Sequence, residues 1–161
     1  MSHTNISFFL CTLFSLSTLA QKFDKVAFYQ VMETKDSIKI NQQLESLQNT
    51  SIKEKQAYEG ALLLKKAGVV INKRNKLSTF KLGKHKLENA LEKDSGNTEY
   101  HFLRLMIQEN APKILGYHTN LEKDNIYIRK NYKTLSAVLQ QAILGYSKQS
   151  KTLSNLSTET K

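Results

Sequence analysis

The chain has 161 residues, 40% hydrophobic and 24% charged, and its 24 Lys and Arg stand against 14 Asp and Glu. These proportions suit one small domain with a core and exclude collagen, a disordered polar tail and a multi-span membrane protein. A single Cys excludes a disulfide framework, and one Pro with six Gly leaves little turn chemistry for a many-stranded sandwich or barrel, so helices are favoured.

Residues 1–20 contain no Asp, Glu, Lys or Arg, and Ile6 to Ala20 is an apolar run thinned by Ser and Thr. It ends in Ser17-Thr18-Leu19-Ala20 before Gln21, with the compact side chains of Thr18 and Ala20 where a signal peptidase requires them. The segment reads as an export signal cut between Ala20 and Gln21, although no Lys or Arg precedes the run. A bilayer-spanning anchor needs about 20 apolar residues, more than this run supplies. Cleavage there removes Cys11 and with it all thiol chemistry. The expected location is periplasmic or secreted.

From Gln21 onward the composition turns polar, and helical spacing takes over. Phe23, Val26, Ala27 and Val31 mark a helix over 22–33, and Ile40, Leu44 and Leu47 mark an amphipathic one over 37–48. Ser51-x-x-Glu54 has the form of a capping box, opening a helix through Tyr58 and Leu62 that ends at Gly68. Residues 69–75 then read as a loop whose Val69-Val70-Ile71 tucks under the fold. Leu77, Phe80, Leu87 and Leu91 mark a fourth helix ending near Lys93, and Tyr100, Leu103 and Met106 a fifth after the turn at Asp94–Asn97. A short helix starts at Asn110-Ala111-Pro112 and breaks at Gly116. Another runs through Leu121, Ile128 and Leu135, and Ser136 caps the last, with Leu139, Ile143 and Tyr146. The expected organisation is an all-α domain over 21–147, with a Ser/Thr-rich tail, 148–161, that frays. Short connections force neighbouring helices antiparallel, giving seven or eight helices as stacked hairpins or a small bundle.

Gly83, Leu87 and Ala90, spaced by four and three and followed by Asp94-Ser95-Gly96-Asn97, resemble the second helix of a tetratricopeptide repeat running into the next repeat. The family has Pro where this chain has Ser95. The run Tyr100 to Tyr117 is similar to small exported bacterial proteins of unknown function. The resemblance implies stacked helical hairpins with a concave binding face, and assigns no catalytic residue.

Chemistry-bearing residues are sparse. His85-x-x-Glu88 would share one helical face and, with Glu99, is the candidate centre for a small hydrolase or metal-dependent enzyme; zinc needs three or four convergent ligands, and His101 and His118 lie elsewhere in the sequence. No phosphate-binding glycine loop, nucleophile elbow or nucleotide fingerprint occurs, and no cofactor is implied. Charge is more informative. Gly60 to Leu87 contains no acid, yet holds Lys65, Lys66, Lys73, Arg74, Lys76, Lys81, Lys84 and Lys86. Such clustered cations attract acidic proteins or anionic surfaces. The expectation is therefore a non-enzymatic interaction or scaffold domain of the cell envelope, binding through shape and through Lys73, Arg74, Lys76, Lys81 and Lys84. Peripheral binding to an anionic membrane surface is the alternative. Export makes nucleic acid an unexpected partner, and no transmembrane helix is expected after cleavage.

Overall fold

A computed structural model describes residues 23–156. The export signal and its Ala20–Gln21 cut lie outside the described residues. Within them the chain is all-α, with seven α-helices, two short 3-10 turns and no strand.

Polar caps set where most helices start. Asp24 and Asp36 accept from the first free amides of α1 (Lys25–Glu33) and α2 (Ser37–Gln48). Asn72, Asn97 and Ser136 do the same for α4 (Lys73–Lys93), α5 (Thr98–Asn110) and α7 (Ala137–Ser147). Each side chain satisfies donors that the helix itself cannot. The other two helices, α3 (Lys55–Val69) and α6 (Leu121–Asn131), have no side-chain cap. Lys113–Leu115 forms a 3-10 turn closed by Gly116 at φ 59°, the left-handed conformation that favours glycine.

Four local expectations are corrected. Ser51 caps nothing: α3 begins at Lys55, whose ammonium binds the carbonyls of Gln48 and Thr50 and closes the preceding turn. Gly68 is an ordinary helical residue, because the chain leaves α3 through Val70 in extended conformation (φ −69°, ψ 132°) and enters α4 directly through an extended Asn72. The loop at 69–75 thus shrinks to Val70–Asn72, and Ile71 is 97% exposed where it was expected to tuck under. The tail does not fray before residue 156: Leu153 and Leu156 are buried, and Glu109 accepts from the amides of Lys151 and Thr152 and from the Ser150 hydroxyl.

The α3–α4 hairpin is the tightest packing in the fold. A Cβ built on Gly60 would lie 2.6 Å from the Leu87 nitrogen, and one on Gly83 would lie 2.8 Å from the Gly60 carbonyl oxygen. Two glycines facing each other let the backbones touch. Alternate helices also meet: α1 contacts α3, α3 contacts α5, α5 contacts α7, and α1 in turn contacts α7. The core they enclose is rich in rings, with Phe23, Phe28, Tyr29, Tyr58 and Phe102 in successive contact at centroid distances of 4.5–5.8 Å. Offset and tilted ring pairs add to the stabilisation from area burial alone.

Candidate functional site

The five basic residues singled out in the sequence all lie on α4. Lys73 and Arg74 were expected in the 69–75 loop; with Lys76 they occupy the first turn of the helix, ordered by the Asn72 cap. At roughly 100° per residue, Lys73, Arg74, Lys81 and Lys84 fall in one sector of the helix with Leu77 between them, and Lys76 lies off it. Lys73, Arg74, Lys76 and Lys81 are exposed, as is every residue from Ile71 to Ser78, so the α4 side of the α3–α4 tip faces solvent while Ala67 and Val69 on its α3 side pack on the core. Leu77, expected in the core, is 47% exposed for the same reason.

Among the described residues no carboxylate pairs with Lys73, Arg74, Lys76 or Lys81. Three other lysines do pair, Lys25 with Glu99, Lys53 with Asp94 and Lys86 with Glu59, all within 3.0 Å, while Lys113, Lys123, Lys130 and Lys133, spread over other segments, share the lack of a carboxylate partner among the described residues. Lys84 sits with its ammonium 4.9 Å from the centre of the Tyr117 ring, a cation–π contact that orders it at the base of the sector. The first half of α4 is therefore an exposed cationic surface with no carboxylate paired to it among the described residues, and fields of this kind raise the local concentration of anionic partners.

The alternative constellation of His85, Glu88 and Glu99 does not assemble. His85 is exposed and bonded to Asn89. Glu88 faces α5 and the segment before α6, accepting from Arg104 at 2.9 Å and from the Tyr117 hydroxyl. Glu99, 6% exposed, accepts from Lys25, Tyr29 and Tyr58 at 2.7–2.9 Å and ties α1, α3 and α5 together. Burial and then the Glu99 charge push the Tyr58 hydroxyl far above the usual phenol range, which keeps it a donor. Among the described residues no three His, Cys, Asp or Glu side chains converge as a metal cage.

What the sequence reasoning missed is a buried charge cluster. Asp124 is wholly buried on α6 and accepts from Arg104 Nε and Nη2 at 2.8 and 2.7 Å and from His101 Nδ1 at 2.7 Å. The other ring nitrogen of His101 faces the Ser95 carbonyl at 2.9 Å. Burial alone would raise the Asp124 carboxyl, but the Arg104 and His101 hydrogen bonds outweigh it and hold the group below the usual carboxylate range. Arg104 uses three of its five donors on Asp124 and Glu88, so the cluster staples α4, α5 and α6 to one another. A cleft of ≈ 310 Å³ opens beside it, bordered by Glu92 and Lys123. A larger groove of ≈ 570 Å³ runs between α2 and α3, with Leu44 and Leu63 framed by Glu45, Glu59, Lys66 and Lys86. No helix among the described residues is long and apolar enough to cross a membrane. No protein family, curated protein or solved structure matches this chain.

Proposed function

We propose that the protein is a non-enzymatic interaction or scaffold domain of the cell envelope that engages an anionic partner through the basic face of α4. The observation that carries this reading is the clustering of four exposed cations, Lys73, Arg74, Lys76 and Lys81, within nine residues of one helix, with no carboxylate paired to them among the described residues. The apolar run before Gln21 supports export. The side chains a hydrolase would need are otherwise employed: Glu88 and Glu99 are bonded to tyrosines and cations that fix helices.

Charge reversal tests the reading. Retention on immobilised heparin, used as a generic polyanion, should fall strongly in the triple variant Lys73→Glu, Arg74→Glu, Lys76→Glu, with unchanged far-ultraviolet circular dichroism. Wild-type retention should weaken with salt, as expected for screened surface charge. Equal retention of variant and wild type at low salt rejects the assignment.

A further inference from the structure

The α3–α4 tip carries a feature that attraction to polyanions does not require. Its apex is Ile71, 97% exposed, in a three-residue connection between two antiparallel helices. Two residues on, the cations of α4 begin at Lys73 and Arg74, and Leu77 adds a second half-exposed aliphatic side chain one turn later. Single exposed apolar residues are common on protein surfaces. This one differs in place, because it sits in the helix connection with the exposed cations Lys73 and Arg74 two and three residues on, and among the described residues no carboxylate pairs with them.

Shape decides between two kinds of anionic partner. A specific protein interface needs matched surface of roughly 800 Å² on each side, with packing of core density at its centre. Residues 71–78 are exposed throughout around a three-residue connection, and they line neither the α2–α3 groove nor the cleft beside Asp124. A bilayer imposes no such demand: its headgroups deform around an exposed segment, its phosphates take the cations, and its acyl boundary takes the aliphatic apex. Resting on the assignment of the α4 face as the binding surface, we infer that its partner is an anionic lipid bilayer, with Ile71 inserting at the acyl boundary and Lys73, Arg74 and Lys76 on lipid phosphates.

The chain has no Trp, so a single one reports its own surroundings. In the full-length protein, Ile71→Trp should shift its emission to the blue when phosphatidylglycerol vesicles are added, and lipids brominated near the headgroup should quench it. Phosphatidylcholine vesicles should leave it unchanged, and high salt should reverse the shift. Ile114→Trp, at a site 94% exposed in the Lys113–Leu115 turn, should stay water-like throughout. In flotation, Ile71→Ser should lower partition by about 15- to 60-fold, the effect of withdrawing two to three carbons from an apolar phase. The three charge reversals should lower it by at least about 10², since each cation near an anionic surface is worth about fivefold.

A water-like emission of Ile71→Trp on phosphatidylglycerol vesicles overturns the inference, however the rest of the chain binds. So does an equal blue shift in the Ile114→Trp variant, which would report general adsorption. If heparin retention still depends on Lys73, Arg74 and Lys76 in either case, the α4 face stands and its partner is an acidic protein surface. If that dependence is also absent, the face itself is wrong.

Discussion

Gly60 and Gly83 face each other across α3 and α4, and replacing either with Ala tests the helix contact directly. An added methyl at Gly60 meets the Leu87 nitrogen at 2.6 Å and the Gly83 oxygen at 2.9 Å; at Gly83 it meets the Gly60 oxygen and the Leu64 nitrogen, both at 2.8 Å. All of these are backbone atoms, which cannot rotate away. Restoring ordinary contact moves the helices apart by about 0.5–0.8 Å, and a gap of that size forfeits roughly a quarter to a half of each dispersion contact along the seam. Overpacking costs about 1–3 kcal/mol, while Gly to Ala in a helix returns about 1 kcal/mol, so each variant should lose up to about 2 kcal/mol. Gly68 is the internal reference: it lies in the same helix with nothing within 4 Å of an added Cβ, so Gly68→Ala should gain about 0.5–1 kcal/mol. Urea unfolding followed by circular dichroism measures all three. The double Gly60→Ala, Gly83→Ala variant should lose less than the sum, because helices already parted by one methyl admit the second. A rise in midpoint for Gly60→Ala matching that of Gly68→Ala would refute the close approach.

The buried cluster makes a second set of expectations. Asp124→Ala strands Arg104 and His101 without their shared carboxylate and should cost about 3–5 kcal/mol, read as a drop in urea midpoint. Removing both charges together, as Asp124→Leu with Arg104→Met, should be milder than the single change, since no unpaired Arg104 then remains buried. Asp124 and Glu109 are both held below ordinary carboxylate values: burial opposes this in each, but hydrogen bonds to Asp124 from Arg104 and His101, and to Glu109 from Tyr146, Ser150 and Thr152, prevail. A depressed folded value gives stability that is present above the unfolded carboxylate range and lost as pH falls through the folded one. Urea midpoints should therefore be insensitive to these two groups from pH 7 to about 5 and fall below about pH 4. Glu109→Gln should flatten that acid limb and expose the segment after Ser147 to limited proteolysis; uncut tail in this variant would show that Leu153 and Leu156 hold the segment unaided.

Helices were legible in the sequence wherever two local signals agreed. The pattern of Ile40, Leu44 and Leu47 fixed α2, and Ser136 ahead of Leu139 and Ile143 fixed α7. Single signals misled. Ser51-x-x-Glu54 has the letters of a capping box, but Lys55 closes the turn with its ammonium and the helix starts later. Leu77 sits at helical spacing with Phe80 and reads as core, yet it lies on the solvent side of α4 and is half exposed. The cations of α4 were visible as residue types; their alignment along a helix instead of a loop depended on Asn72 acting as a cap, which the residues 69–75 did not suggest as a group. The Asp124 cluster left no trace in sequence. Its partners are 20 and 23 positions away, and only the crossing of α5 and α6 brings them together. Gly83 was noticed for its spacing, whereas Gly60 carries the same meaning only once its neighbour is known.

The contact of α1 with α7 has a mechanical consequence. In a linear row of helical repeats each unit touches only its neighbours, so end units peel away first and melting spreads inward. Here the first described helix leans on the last, and Glu99 binds Lys25 and Tyr29 of α1 to Tyr58 of α3 from its seat on α5. Shedding either terminal helix bares the flank of the other, which couples their loss. The ring should come apart as a whole in a single sharp transition, and the exposed α4 end of the α3–α4 hairpin works from a rigid base.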